Sequence, residues 1–158
     1  MIAMKIKSND YFGKIELISH EYLLLKNISG IILDIDNTIV ADGKTEIPLS
    51  IFEWLKDIEL PVCLLSNGRA SRVKFFAESL ELNYVYRAKK PFKAGYCKAA
   101  KLLDIEDFAK IAVIGDQLFS DILGGNIHGF YTIKIEPIDK EADPLAVKVK
   151  RWFERFVA

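Results

Sequence analysis

The segment from Gly30 to Val40 constrains the fold of this chain more than any other. An apolar run to Leu33 ends in two carboxylates separated by one residue, Asp34 and Asp36. An apolar run without polar alternation is typical of a strand covered on both faces, as in a parallel sheet. Because residues two apart in an extended chain point the same way, both carboxylates are expected on one side. Carboxylates that close repel each other unless a cation or a shared proton intervenes. The alternative is a turn rich in Asp and Asn, which are ordinary turn formers.

Strand-like and helix-like segments alternate along the rest of the chain. Further apolar runs predict strands over 61–65, 84–86, 111–114 and 131–135. Apolar residues at helical spacing predict a short helix after Asp121 and longer ones over 48–58, 71–80, 92–103 and 144–156. The alternation predicts an α/β, Rossmann-like three-layer fold with a central, mainly parallel five-stranded sheet. No repeat or linker interrupts it, so residues 1–158 are expected to form a single domain.

Apolar spacing supports two of the predicted helices in particular. In the helix over 48–58 it picks out Leu49, Phe52 and Leu55. In the helix over 71–80 it predicts an inner face made of Val73, Phe76, Ala77 and Leu80. Residues 1–30 are mixed, with short apolar packing elements at 15–17 and 22–25.

Charge and cysteine content argue against several classes of protein. Lys plus Arg and Asp plus Glu both total 22, so overall charge gives no indication of nucleic-acid binding. Cys63 and Cys97 lie in a strand-like and a helix-like run, which favours free thiols over a disulfide framework. The first ten residues lack the apolar core of a secretory signal, and no apolar run approaches the roughly 20 residues that cross a bilayer. A cytoplasmic protein is therefore expected.

Polar residues follow the predicted strands in order. Asp34 and Asp36 follow the first strand, Ser66 the second, Lys90 the third and Asp116 the fourth. Because parallel strands end at one edge of a sheet, these side chains are expected to converge. Carboxylate oxygens suit Mg²⁺, whereas a hydroxyl near a helix N-terminus and a lysine suit phosphate.

Each of these residues also has a simpler explanation when it is taken alone. Ser66 could cap the helix that follows it. Lys90 could be one more solvated lysine in the basic segment 87–101, and Gly115-Asp116 could be a plain turn from strand to helix. The order and placement of the residues together favour a shared site.

The complete set resembles the haloacid dehalogenase (HAD) superfamily. Its four motifs are matched in order by Asp34-Ile-Asp36-Asn37-Thr38, Ser66, Lys90 and Gly115-Asp116-x-x-x-x-Asp121. The segments 114–126 and 88–91 closely resemble the YqeG-like branch of subfamily IIIA. This resemblance extends from about residue 10 to the end of the chain.

The resemblance implies a role for each motif residue. Asp34 is expected to be the nucleophile that takes the phosphoryl group. Asp36 is expected to protonate the leaving oxygen and later to activate water. Ser66, Asn67 and Lys90 are expected to bind the phosphoryl oxygens.

The resemblance also implies a metal and an open site. Asp34, the backbone carbonyl of Asp36, and Asp116 would bind Mg²⁺, with Asp121 in support. HAD phosphatases often carry a cap domain after the first motif or after the third strand, but the connections 37–48 and 86–90 are too short to hold one. Uncapped members act on bulky substrates or borrow a neighbouring subunit as a lid, which would make this chain a homo-oligomer.

The expected function is Mg²⁺-dependent hydrolysis of a phosphomonoester through an aspartyl-phosphate. The YqeG-like branch resembles phosphatases that act on phosphatidylglycerophosphate at the membrane surface, so a phospholipid substrate is one candidate. The alternatives are a soluble nucleotide or sugar phosphate, and a HAD-fold binding module with vestigial catalysis. The presence of every motif residue disfavours the binding module.

The final predicted helix bears on the phospholipid candidate. Its apolar face consists of Leu145, Val149, Trp152, Phe153 and Phe156, and its flank of Lys148, Arg151 and Arg155. A basic amphipathic helix with Trp and Phe can lie on an anionic membrane, which would give a weak peripheral contact. Packing of this face against the sheet is the favoured expectation, because terminal helices usually pack in that way.

Overall fold

The computed structural model describes residues 5–141 and 143–158 and confirms the α/β prediction. Its strands are β1 (Asp10–Phe12), β2 (Gly30–Leu33), β3 (Val62–Leu65), β4 (Asn83–Val85), β5 (Ile111–Gly115) and β6 (Tyr131–Ile135). They form one sheet in the order β1-β6-β5-β2-β3-β4, and every pair is parallel. The prediction lacked β1, an edge strand of three residues with no apolar run. The expected absence of a secretory signal concerns a segment whose first four residues lie outside the described residues.

The predicted helices are present, with ends within two residues of the expected ones. They are α2 (Leu49–Ile58), α3 (Ala70–Leu80), α4 (Lys93–Leu102), α5 (Leu123–Ile127) and α6 (Leu145–Val157). A further helix, α1 (His20–Leu25), covers a segment where the sequence indicated only a short apolar packing element at 22–25. A 3₁₀ turn covers Ile15–Leu17, and a π-helical turn covers Leu118–Ile122 directly before α5. Within the described residues, no helix is both long and apolar enough to cross a membrane.

The sheet buries apolar side chains on both faces, as the unbroken apolar runs predict. In β2, Ile31 and Leu33 pack into one core with residues of α2 and α3, whereas Ile32 packs into the opposite core with residues of α4. The predicted inner face of α3 is confirmed by the buried side chains of Val73, Phe76 and Ala77 and the partly buried Leu80. The molecule therefore has the expected three layers.

Most of the residues whose spacing predicted α2 are not the ones that the helix buries. Leu49 is 72% exposed and Phe52 is 40% exposed, whereas Ile51, Trp54 and Ile58 are buried. The indole N–H of Trp54 donates to a backbone carbonyl at 2.8 Å. Two apolar sets in α2 have helical spacing, and the helix turns the one that contains tryptophan toward the core. Spacing alone could not choose between them.

The apolar face of α6 points away from the sheet, so the favoured expectation that it packs there is wrong. Five large apolar residues of α6 are 47% to 78% exposed: Leu145, Val149, Trp152, Phe153 and Phe156. The helix contacts the rest of the protein through polar residues. The carboxylate of Glu154 accepts a hydrogen bond from the Leu118 N–H at 2.8 Å, and Arg151 forms buried ion pairs.

The order of the strands determines where a ligand can bind. The chain runs outward from β2 through β3 to β4, then crosses back to β5 on the other side of β2. The order reverses between β2 and β5, where Leu33 lies opposite Ile114. Ligands of open parallel sheets bind outside the carboxyl ends of the strands at such a reversal. Asp34 and Asp116 follow these two strands directly.

This edge of the sheet is uncapped, as predicted. Residues 41–47, which connect the end of the first motif to α2, contain no helix or strand. Residues 86–90, between β4 and α4, likewise contain neither. Neither of these described connections holds a folded insert.

Candidate active site

Asp34 leaves β2 as a buried carboxylate held by two neighbours. Its Oδ1 accepts from Lys90 Nζ at 2.7 Å, and its Oδ2 accepts from Thr38 Oγ1 at 3.2 Å. The ammonium group of Lys90 also donates to Asp121 Oδ1 at 2.6 Å. The side chain of Lys90 is 4% exposed, which excludes the interpretation as a solvated lysine. Burial alone would lower the pKa of Lys90, but the charges of Asp121 and Asp34 outweigh it and raise that pKa. The ammonium group therefore stays charged.

Asp34, Asp116 and Asp121 form a buried acidic cluster. One oxygen from each lies within 4.8 Å of the others. The Thr38 hydroxyl, which contacts Asp34, also lies 3.3 Å from Asp116 Oδ1. Burial and then the charge of Asp34 raise the pKa of Asp116 well above its ordinary value and that of Asp121 to about 6. A set of oxygen ligands that repel one another in this way fits a hard divalent cation such as Mg²⁺.

Gly115 allows Asp121 to join the cluster. A Cβ at position 115 would overlap the Asp121 carboxyl group, so no larger residue fits there without displacing it. The N–H of Gln117 donates to Asp121 Oδ2 at 3.1 Å. The π-helical turn after β5 thus folds back over the end of the strand. The interpretation of Gly115-Asp116 as a plain turn from strand to helix is therefore incomplete, because Gly115 also makes room for the Asp121 carboxyl group.

Ser66 and Asn67 order the loop that faces the cluster. Ser66 Oγ accepts from the Gly68 N–H at 3.0 Å, and the residue that flanks the start of α3 is Arg69, so Ser66 does not cap that helix. As an acceptor here, the hydroxyl keeps its own hydrogen for another partner. The Asn67 amide accepts from the Lys90 N–H at 2.7 Å and donates to the Lys90 carbonyl at 3.4 Å. Asn67 thus fixes the backbone that presents the Lys90 ammonium, and its own contact with phosphate stays a prediction.

Asp36 lies outside the cluster and is half-buried. Its Oδ1 accepts from Arg72 Nη2 at 2.6 Å, and the same nitrogen donates to the Lys44 carbonyl at 2.8 Å. Burial and then the negative charge of Asp36 raise the pKa of Asp42. Arg72 therefore joins α3 to Asp36 and to the loop 41–47. Sequence reasoning identified neither Arg72 nor Asp42.

A further network connects α6 to the acidic cluster. The Arg151 guanidinium pairs with the buried carboxylates of Asp116 and Asp143. Asp143 Oδ1 in turn accepts from Nδ2 of Asn37, a residue of the first motif, at 2.5 Å. The prediction that Arg151 lies on the outer flank of α6 is therefore wrong, because two carboxylates draw its side chain inward. No motif spacing in the sequence marks Asp143, which lies 106 residues from Asn37.

Comparison with known proteins identifies the family. Residues 10–138 match the family model described as mitochondrial PGP phosphatase. The protein named "Probable phosphatase YqeG" of Bacillus subtilis (strain 168) is 32% identical over 150 residues, covering 93% of this chain and 86% of that protein. The chain belongs to the PGP phosphatase family. It is a HAD phosphatase of the YqeG-like type, as its motifs predict.

A plant relative is longer. Phosphatidylglycerophosphate phosphatase 1, chloroplastic/mitochondrial, of Arabidopsis thaliana is 26% identical over 160 residues, covering 87% of this chain. This chain covers 45% of that protein, so it spans less than half of the plant relative's length.

Solved structures share the fold of this family member. One is the cobalt-bound deoxy-D-mannose-octulosonate 8-phosphate phosphatase (YrbI) of Haemophilus influenzae, with a TM-score of 0.51, 16% identity and 70% of each chain covered. Another, described as a subfamily III A HAD hydrolase of Legionella pneumophila, has a TM-score of 0.51 and 18% identity, with 72% of this chain and 70% of that chain covered. At such identities the likeness concerns the fold alone, and it confirms the HAD-like architecture.

Proposed function

We propose that this chain is a Mg²⁺-dependent phosphomonoesterase that works through an aspartyl-phosphate and acts on phosphatidylglycerophosphate. The observation that carries the proposal is the buried Asp34 carboxylate, which contacts Lys90 at 2.7 Å beside Asp116 and Asp121. A carboxylate can attack phosphorus only if the repulsion between two anions is reduced. The buried ammonium group of Lys90 supplies that reduction, and the chain works as one catalytic domain.

In the first step Asp34 acts as the nucleophile. One of its carboxylate oxygens forms a bond to phosphorus while the bond from phosphorus to the leaving oxygen breaks. Asp36 gives its proton to the leaving oxygen, which departs as an alcohol. The Ser66 hydroxyl and nearby backbone N–H groups hold the phosphoryl oxygens, and Lys90 neutralises their charge.

In the second step water releases the phosphoryl group. Asp36, now a carboxylate, takes a proton from a water molecule whose oxygen bonds to phosphorus. The bond from phosphorus to Asp34 breaks, which restores the Asp34 carboxylate and yields inorganic phosphate. Asp36 acts as the acid in the first step and as the base in the second. Arg72 donates to it at 2.6 Å and so holds it in a fixed position.

The acidic cluster fits the metal of this reaction. Asp34, Asp116 and the backbone carbonyl of Asp36 would hold Mg²⁺, with Asp121 in support. When bound, the ion supplies positive charge that stabilises the phosphoryl oxygens. Thr38 contacts both Asp34 and Asp116 and so holds the two carboxylates in a fixed relative position.

The lipid substrate rests on the open edge of the sheet and on the family. The described connections 41–47 and 86–90 contain no cap domain that would exclude a bulky ester from the site. The plant relative is named for phosphatidylglycerophosphate. A reaction at the surface of a membrane, approached from the cytoplasmic side, is consistent with both.

A substrate comparison tests the proposal. Hydrolysis of p-nitrophenyl phosphate, of phosphatidylglycerophosphate in mixed micelles, and of a panel of nucleotide and sugar phosphates is measured with Mg²⁺ and with a chelator. We expect every activity to need Mg²⁺, and kcat/KM for the lipid to exceed that for the soluble panel by at least about 100-fold. Rapid turnover of a soluble ester without turnover of the lipid would assign the enzyme to soluble metabolites. Absence of any Mg²⁺-dependent turnover would remove the phosphatase mechanism itself.

A further inference from the structure

The outward side of α6 forms a continuous apolar surface. It consists of Leu145, Val149, Trp152, Phe153 and Phe156, which we call the outer α6 face. The indole of Trp152 packs edge-on against Phe153 and Phe156, with ring centroids 4.9 Å and 5.1 Å away. A helix normally turns such a face toward the core of its own protein. Among the described residues, this face stays largely exposed.

The opposite side of α6 fixes this orientation. Arg151 pairs with Asp116 and Asp143, and Glu154 accepts from the Leu118 N–H at 2.8 Å. Turning the outer α6 face inward would break these contacts and leave buried carboxylates without their partner, which is costly. The exposure of the apolar residues is therefore built into the packing of the helix.

The exposed charged residues of α6 itself are all positive. Lys148, Lys150 and Arg155 are exposed, whereas Glu154, the acidic residue of α6, is buried against the protein. A partner that complements this face must therefore offer both an apolar region and negative charge at its surface. A second copy of the same face fits poorly, because pairing the two would bring their cations together.

The position of α6 relates this surface to the active site. Arg151 contacts Asp116, and Leu118, which contacts α6, follows β5 by three residues. The helix therefore lies beside the carboxyl edge of the sheet, with Arg151 facing the acidic cluster and the outer α6 face on the opposite side of the helix. A flat surface that binds the outer α6 face would therefore lie about one helix diameter, roughly 10 Å, from the cluster.

We propose that the outer α6 face is the surface by which this chain lies on an anionic lipid bilayer. Trp152, Phe153 and Phe156 would enter the boundary between headgroups and acyl chains, and Lys148, Lys150 and Arg155 would contact anionic headgroups. The inference deepens the proposed function, since it names the surface that would hold the lipid substrate. Binding itself needs no turnover, so it can be tested separately.

Vesicle binding tests the surface directly. The full chain is sedimented with vesicles of phosphatidylcholine alone or with about one-third phosphatidylglycerol, at low and high salt. We expect binding to the anionic vesicles alone, weakening as salt rises because screening shortens the reach of the cations. The triple variant Lys148→Glu, Lys150→Glu, Arg155→Glu should lose at least about 100-fold in affinity. The double variant Phe153→Ser, Phe156→Ser should lose at least about tenfold at every salt concentration.

Matched controls lie at the opposite edge of the sheet. The triple variant Lys56→Glu, Lys101→Glu, Lys110→Glu makes the same change in net charge at the end of α2, at the end of α4 and directly before β5. Leu25→Ser removes an 86% exposed apolar residue at the end of α1. We expect both controls to bind vesicles like the wild type. Hydrolysis of p-nitrophenyl phosphate should stay within about twofold in every variant, because none of these residues contacts the site.

Several results would overturn the inference. Failure of the wild type to bind anionic vesicles at low salt would do so, as would unchanged binding by the double Phe variant. A dimer in sedimentation equilibrium that the Phe variant dissociates, without vesicle binding, would assign the face to a second copy. Loss of Mg²⁺-dependent turnover in the wild type bears on the proposed function alone, since vesicle binding is measured without substrate.

Discussion

The carboxyl edge of the sheet and α6 invert the usual distribution of polarity in opposite ways. At the sheet edge the charged groups of Asp34, Lys90 and Asp121 are buried, whereas α6 exposes Trp152 and Phe153. Buried charges cost free energy unless they are paired. Apolar surface that stays exposed loses the stabilisation of about 25 cal/mol per Å² that burial would give. Both departures are tolerated where a ligand or partner completes the surface. We propose that the first region binds the substrate and the metal ion and that the second binds a lipid bilayer.

The two tryptophans provide the largest test of this contrast. Trp54 is 5% exposed in α2 and Trp152 is 53% exposed in α6. Trp54→Ala should lower the free energy of unfolding by about 3–5 kcal/mol, because it empties a core position. Trp152→Ala should change it by less than about 0.5 kcal/mol. Urea unfolding measures both, and equal losses would mean that the outer α6 face is packed after all.

Adjacent lysines test the buried charge at the sheet edge. Lys90→Ala removes the ammonium group that contacts Asp34 and should lower kcat/KM for p-nitrophenyl phosphate by about 10²- to 10³-fold. Lys89 is exposed, so Lys89→Ala should remain within about twofold of the wild type. Circular dichroism checks that both variants fold. Similar losses at the two positions would show that the basic segment acts as a whole.

The smallest expected effect on stability concerns two arginines of α6, of which Arg151 connects the helix to the acidic cluster. Arg151→Ala leaves the carboxylates of Asp116 and Asp143 without their shared partner and should lower the free energy of unfolding by about 1–3 kcal/mol. Arg155→Ala, one turn away and exposed, should cost less than about 0.5 kcal/mol. Thermal and urea unfolding of both variants decide the matter. If Arg151→Ala leaves the free energy of unfolding unchanged, the contact between α6 and the acidic cluster does not stabilise the fold.

The sequence predicted the sheet edge well because its residues follow strands directly. A strand end defines both the position and the direction of the residues that follow it. The sequence alone could therefore predict that Asp34, Lys90 and Asp116 lie together. Their assigned roles come from the resemblance to the HAD superfamily and stay predictions. The uncapped edge followed from the lengths of two connections.

The sequence predicted α6 and its apolar stripe, but it could not predict the direction in which the stripe points. Helical spacing defines two opposite faces without saying which one meets the protein. The contacts of Arg151 and Glu154 decide that, and their partners lie 35 and 36 residues away in the chain. The edge strand Asp10–Phe12 was missed for a related reason, since it pairs with β6 and carries no apolar run.

Chemical trapping of the covalent intermediate tests the central claim most directly. The full chain is mixed with p-nitrophenyl phosphate and Mg²⁺, quenched in acid and reduced with borohydride, which converts an aspartyl-phosphate into homoserine. The account predicts homoserine at position 34 in the wild type, dependent on substrate and Mg²⁺, with neither homoserine nor turnover in a folded Asp34→Asn variant. Reduction at another carboxylate, or wild-type turnover by Asp34→Asn, would contradict it.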